Sequence, residues 1–187
     1  MDAGLHNAFN DLVATVFSLY LYTVLVRILL QVVRADFYNP VSQAIWQLTR
    51  LPIAWIGRVI PKWRRLDLAA CVYLLALVAI YVLAMTALWG QRATGLEMLT
   101  WTLLKVPVLV LNLYLFMLIV QAVLSWVGPG LGTNPAGSIL WSMNEPLLRP
   151  VRRLIPPMSG LDFSPLAAML VLLFIRRVLV SQLPGYL

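Results

Sequence analysis

The chain states one pattern twice, and each statement is long enough to cross a bilayer two times. Residues Tyr20 to Met85 run as an apolar helix, Asn-Pro, an amphipathic stretch bearing Trp and Arg, Ile-Pro, Leu-Asp, and a second apolar helix. Residues Leu115 to Val180 run through the same series. The anchors fall in register without a gap: Asn39-Pro40 on Asn134-Pro135, Trp46 on Trp141, Ile60-Pro61 on Ile155-Pro156, Leu66-Asp67 on Leu161-Asp162. Pro52 stands one residue out of step with Pro146. A duplicated unit of this kind sets topology and pseudo-symmetry but names no reaction.

The solvent follows from composition. Hydrophobic residues are 61% of the chain and charged residues 11%, against roughly half and roughly a quarter in an average soluble domain. A chain with so little polar surface cannot coat itself in water, so the expectation is an integral membrane protein with no room for an added soluble domain. Basic residues outnumber acidic ones 14 to 7. Most of that excess sits in two loops, which argues for membrane orientation and against nucleic acid. Neither the lone Cys71 nor the lone His6 offers a disulfide or metal site, so neither cofactor nor metal is expected. The start of the chain lacks a basic leader and a small-residue cleavage site, and no Arg- and Ser-rich transit segment precedes the first helix. We therefore expect an uncleaved first helix and a bacterial membrane.

About 20 apolar residues span a bilayer core. Four stretches qualify: Leu12 to Val33, Leu68 to Trp89, Val106 to Val127 and Ser164 to Leu183. The expected fold is an all-α membrane protein, its four transmembrane helices arranged as two tandem two-helix repeats over residues 8–90 and 99–183. Each repeat carries a Pro-broken amphipathic segment in its long loop. In the first, Val41, Ala44, Ile45, Leu48, Trp55 and Val59 recur at helical spacing, with Gln43, Gln47, Arg50 and Arg58 opposite. In the second, Ile139, Leu140, Met143, Leu147, Val151 and Leu154 oppose Ser138, Ser142, Glu145, Arg149, Arg152 and Arg153. Pro52 and Pro146 lack the N–H of an interior helix position, so each segment is expected as two short helices with a bend. Arg34, Arg50, Arg58, Lys62, Arg64, Arg65, Arg149, Arg152 and Arg153 all fall in the long connections. The positive-inside rule then puts both connections in the cytoplasm and both termini in the periplasm.

The second copy carries a long motif. Ser125-Trp126 is followed by Asn134-Pro135, then by the run from Asn144-Glu145-Pro146 through Arg152-Arg153-Leu154-Ile155-Pro156, then by Leu161-Asp162-Phe163-Ser164-Pro165. This resembles the YggT family, also called YlmG-like, of small bacterial and plastid membrane proteins. The first copy is degenerate: Thr49-Arg50-Leu51 stands for Asn144-Glu145-Pro146, and Arg27 lines up near Gln121. The resemblance implies a link to osmotic and ion homeostasis, to cell-division gene clusters, or to assembly of membrane complexes. No agreed biochemical activity comes with it.

Several polar residues invite a role. Arg27, inside a helix, costs about 2.5–3.5 kcal/mol on insertion scales unless it snorkels or is paired. Two readings stand side by side: reach to the headgroups, about 9 Å along the helix, or an ion pair with Asp67, Asp162 or Glu145. Asn112 and Gln121 are intramembrane amides, which ordinarily bond a neighbouring helix. Gln121 marks a candidate polar layer shared with Arg27. Arg50, Arg58, Glu145, Arg149, Arg152 and Arg153 form either a face that holds anionic headgroups or, were the segments to dip inward, the wall of an ion conduit. Asn39, Asp67, Asn134, Asp162 and Ser164 are expected as helix caps. No metal cluster, phosphate loop or Ser-His pair points to an enzyme. The functions left open are an oligomeric channel or transport-related protein, a scaffold with a membrane-protein partner, and a bilayer-organising protein that binds anionic lipid.

Overall fold

The computed structural model describes residues 3–60, 66–127, 134–155 and 162–187. Six helices and no strand stand among the described residues: α1 (Ala3–Val32), α2 (Pro40–Ile56), α3 (Leu68–Leu88), α4 (Gly95–Val127), α5 (Pro135–Leu154) and α6 (Ser164–Val180). Lys62, Arg64 and Arg65, counted above for orientation, lie outside the described residues, as do the anchors Pro61, Pro156 and Leu161.

Each repeat is a triangle. A long helix packs along a shorter apolar one (α1 on α3, α4 on α6), and the amphipathic helix (α2, α5) lies against both. The repeats join through α3 on α4 and through α2 on α5. One apolar core runs through the first repeat into the second, built on Leu21, Val24, Leu74, Val78, Val82 and Leu109. A smaller one, Leu115, Leu118, Leu148, Ala168 and Leu172, holds the second repeat together.

Among the described residues, three stretches are long and apolar enough to cross a bilayer: Gly4–Val32, Leu68–Leu88 and Gly95–Leu124. The fourth expected span, α6, has 17 residues, at the short end of the roughly 17–25 that a crossing takes, and it carries Arg176 and Arg177. The outer faces are apolar: Leu83, Leu103, Phe116, Leu170 and Phe174 are all more than half exposed. A surface of that kind suits a membrane protein and not a water-soluble monomer.

Two expectations need correction. Each amphipathic segment is one helix, not two: α2 runs through Pro52, and α5 runs through both Pro146 and Pro150. A proline frees the carbonyl four residues before it. Here those carbonyls belong to Leu48, Ser142 and Pro146, all at exposed positions where polar solvent can satisfy them. The helix therefore tolerates the ring. The second correction concerns length. α1 and α4 begin well before Leu12 and Val106, so Pro107 lies inside α4. The start of α4 has a local cause: Thr94 Oγ1 accepts the Glu97 N–H (3.3 Å), while Glu97 Oε2 accepts the Thr94 N–H (2.7 Å). That is a capping box, and Thr94-x-x-Glu97 was its visible signal.

α1 and α3 also end alike. The N–H of Ala35 returns to Leu30 O and that of Arg34 to Gln31 O; the N–H of Gln91 returns to Thr86 O and that of Gly90 to Ala87 O. Both are Schellman closures with a left-handed residue at the turn. In α3 that residue is Gly90 (φ 61°), but in α1 it is Arg34 (φ 56°), where a side chain costs roughly 1–2 kcal/mol.

Candidate functional site

Polar side chains gather where α1 and α4 end and the amphipathic helices cross them. In the first repeat Arg27, 9% exposed, donates from Nη1 to Thr49 Oγ1 (2.9 Å). Its Nη2 lies 3.8 Å from Asp67 Oδ2. Of the two readings of Arg27, the side chain adopts the inward one. Thr49 is fully buried and passes its own proton to Ile45 O (2.7 Å). Asp67 also caps α3 by accepting the Ala70 N–H (3.4 Å). A buried guanidinium is tolerable because a carboxylate and a hydroxyl meet it; alone it would lose several kcal/mol of hydration.

Two cavities flank this pair and share Arg27, Trp46 and Asp67 as walls. One, of about 330 Å³, opens between the end of α1 and the start of α2, past Gln31, Arg34 and Ser42. The other, of about 280 Å³, runs past Arg50 and Gly57. Among the described residues, Arg27 Nε, Ser42 Oγ and Gln31 Oε1 are buried without a hydrogen-bond partner.

The second repeat solves the same problem with other residues. Gln121 Oε1 accepts from Asn144 Nδ2 (2.7 Å), and both are buried. The register that lays Asn39 on Asn134 lays Thr49 on Asn144 and puts Arg27 beside Gln121. The two bonds are therefore pseudo-symmetric mates in one polar layer. Asp162, the mate of Asp67, takes its guanidinium from α5: Arg152 Nε lies 2.9 Å from Asp162 Oδ2, and Arg152 Nη1 lies 2.7 Å from Glu145 Oε2. The same guanidinium sits 5.2 Å from the Trp141 ring centroid. Partial burial pushes the Asp162 carboxyl up, but hydrogen bonding from Ser164 and the Arg152 guanidinium together outweigh it and hold it below its ordinary range. Register also lays Gly57 on Arg152 and Arg50 on Glu145. The second cavity of the first repeat thus borders Gly57, the register position at which the second repeat carries Arg152.

A CCB3/YggT profile matches this chain twice, over residues 6–88 and 100–183. The chain belongs to the CCB3/YggT family. It is 38% identical to an uncharacterized protein of Pseudomonas aeruginosa over 96% of this chain and 92% of the relative. It is 36% identical to the uncharacterized protein YggT of Escherichia coli strain K12 over 91% of this chain and 88% of the relative. A protein of Vibrio alginolyticus, uncharacterized and described by its place in the proC 3' region, is 36% identical over 90% and 91%. No solved structure matches.

In this CCB3/YggT chain the remaining expected residues fall as follows. Asn39 caps α2 by accepting the Val41 N–H (2.9 Å), and Asn134 caps α5 by accepting the Gly137 N–H (2.6 Å). Asn39 does more: its Nδ2 donates to Pro135 O (2.7 Å) and to Ser138 Oγ (3.1 Å), tying the two amphipathic helices together at their N-termini. Around α6 the expectation shifts by one residue. Phe163 holds the cap position without a side-chain bond, Asp162 just outside it accepts the Ser164 N–H (2.9 Å), and Ser164 is already the first helical residue. Its hydroxyl donates instead to Ile155 O (3.3 Å).

The arginine face divides. Arg152 is tucked into its network, whereas Arg149 reaches Glu145 only loosely (3.5 Å) with a side chain 66% exposed. Arg153 is exposed. Arg50 and Arg58 are exposed too, and lie 5.2 Å from the Trp46 and 4.4 Å from the Trp55 ring centroids. Asn112 stands apart from the layer and accepts a bond from Arg176 Nε across α4 and α6. Sequence reasoning missed Thr49, Ser42 and Gln31, because a lone hydroxyl or amide on a helix carries no pattern of its own. It also missed the Lys105 Nζ bond to Leu187 O.

Proposed function

We propose that this CCB3/YggT protein crosses a bacterial inner membrane four times, with both termini periplasmic, and catalyses no reaction. Its two amphipathic helices form a cytoplasmic-side platform that gathers anionic lipid headgroups. The observation that carries this reading is the joining of α2 and α5 through Asn39, Pro135 and Ser138, which sets both arginine-bearing helices at one end of the bundle. Arg50, Arg58, Arg149 and Arg153 are exposed there beside Trp46, Trp55 and Trp141, the composition of an interfacial face. Each such arginine near an anionic surface contributes about 1 kcal/mol. α6 supplies the fourth crossing: it packs along α4 as α3 packs along α1, and its outward residues are apolar apart from Arg177 in the last turn.

The test is the lipid that copurifies with the full chain. Changing Arg50, Arg58, Arg149 and Arg153 together to Gln is expected to lower the ratio of phosphatidylglycerol to phosphatidylethanolamine retained in native nanodiscs by at least threefold. An unchanged ratio rejects the platform. Accessibility labelling of single cysteines placed in α2 and α5 tests the topology, and labelling from the periplasm rejects it.

A second reading, a part in osmotic or ion balance through a channel made of several copies, is favoured by the buried layer of Arg27–Thr49 and Gln121–Asn144. A purely structural apolar core does not need those polar pairs. Ion flux in liposomes loaded with the purified chain tests it, and no flux under any imposed gradient rejects it.

A further inference from the structure

We infer that the two cavities around Arg27 form a phosphate-binding site. Arg27, Ser42 and Arg34 take no part in the platform, and Arg50 alone is common to both. Arg27 is nine-tenths buried, yet its Nε has no partner among the described residues although Nη1 and Nη2 are both engaged. Ser42, 6% exposed, has an equally unpartnered hydroxyl in the wall of the same cavity. Two unused donors on residues that line one space, against one unused acceptor there, Gln31 Oε1, leave donor capacity over for a guest, because a buried donor left unmade costs free energy.

Charge decides the sign of the guest. The walls carry Arg27, Arg34 and Arg50 against a single carboxylate, Asp67, which Arg27 already faces. A cation entering either cavity meets two guanidinium groups against one carboxylate; an anion meets a net positive wall. Guanidinium and hydroxyl donors suit phosphate oxygens in particular. The cavity of about 330 Å³ is far above the roughly 10–15 Å³ that one water requires.

The backbone adds an independent sign. Arg34, in the cavity wall, holds a left-handed turn that Gly90 holds at the matching closure of α3. A strained arginine where glycine is easier points to a use for its side chain. The second repeat supplies the contrast, since Gly137 replaces Ser42 there and Arg152 stands at the register position of Gly57. Among the described residues, the site therefore belongs to the first repeat.

A phosphate group can come from a lipid headgroup or from free phosphate, and only the lipid source rests on the platform reading. The test uses the full chain in detergent with two probes. Native mass spectrometry counts phosphatidylglycerol retained against phosphatidylcholine. Line broadening in ³¹P NMR reads inorganic phosphate. Retention of phosphatidylglycerol that falls at least fivefold in both Arg27→Gln and Ser42→Val supports the site with a lipid phosphate. The same fall in phosphate broadening supports it with free phosphate. Ser42→Val keeps the test sound if Arg27→Gln unfolds, because the Ser42 hydroxyl has no bond to lose. Arg149→Gln with Arg153→Gln, which weakens the platform, is expected to leave both signals at this site within twofold. Binding of neither probe by the parent chain, or equal binding by parent and Ser42→Val, overturns the proposal.

Discussion

In the first repeat Asp67 takes its guanidinium from α1, through Arg27; in the second, Asp162 takes it from α5, through Arg152. The two aspartates stand at the same place in the duplicated pattern, just ahead of the shorter apolar helix of each repeat. What differs is a pair of exchanges: Arg27 for Gln121 beside the layer, and Gly57 for Arg152 on the amphipathic helix. The constraint common to both halves is thus a paired carboxylate at that junction, not a particular arginine. The consequences differ. Arg27 is buried between two cavities, whereas Arg152 closes over Trp141 at the partly exposed edge. The cores differ in the same sense. The first repeat shares a large apolar cluster with its neighbour, while α6 buries little more than Ala168 and Leu172 among its apolar residues.

The largest effect expected from this contrast comes from removing each carboxylate. Asp67→Asn strands a buried guanidinium and is expected to cost about 3–5 kcal/mol. Asp162→Asn is expected to cost about 1–2 kcal/mol, because Arg152 keeps Glu145 and its side chain is 21% exposed. Steric trapping in bicelles measures both, and equal losses break the comparison.

A graft sharpens it. Arg27→Gln alone strands Asp67; adding Gly57→Arg and Arg50→Glu imports the arrangement of the second repeat and is expected to regain about 1–3 kcal/mol of coupling. The new side chain at position 57 has backbone φ of −66° and so meets no left-handed strain. Its Cβ comes 3.2 Å from Ile53 O, which offsets part of the gain. No recovery in the triple variant means that the two pairings are not interchangeable.

Within the layer, Gln121→Leu leaves the buried Asn144 without its partner and is expected to cost about 1–3 kcal/mol, read by the same trapping assay. Smaller again is the effect at the helix ends. Arg34→Gly is expected to stabilise by about 1 kcal/mol and Gly90→Ala to destabilise by about 1 kcal/mol, a sign reversal visible in thermal unfolding.

The smallest effect is on pH. The Asp162 carboxyl is held below its ordinary range. Its contribution is therefore complete above the ordinary carboxylate value of about 4 and is lost as pH falls through the lower folded value. Titrating stability of the parent chain against Asp162→Asn between neutral and acid pH checks this. The difference is expected to shrink only below about pH 4.

Much of this fold was legible in the sequence, and the legible part is the local part. Hydrocarbon as solvent follows from composition, the helices from apolar run length, and the caps at Asn39 and Asn134 from Asn-Pro at a helix start. The duplication follows from anchors in register. The helices and caps depend on residues within a turn or two of one another, and the duplication on a constant offset along the chain, so composition and spacing alone carry them. The Pro-broken reading of α2 and α5 went wrong because the cost of a helical proline depends on whether the freed carbonyl is exposed, and exposure is a property of the packed molecule. Only the tertiary structure decided that Arg27 turns inward to Thr49 and Asp67, that Arg152 and not Arg149 or Arg153 closes on Asp162, and that a cavity borders Gly57, where the second repeat carries Arg152. Those choices rest on distances between helices far apart in the chain. A guanidinium on a flexible stem reaches several carboxylates with equal ease until packing fixes which one is near.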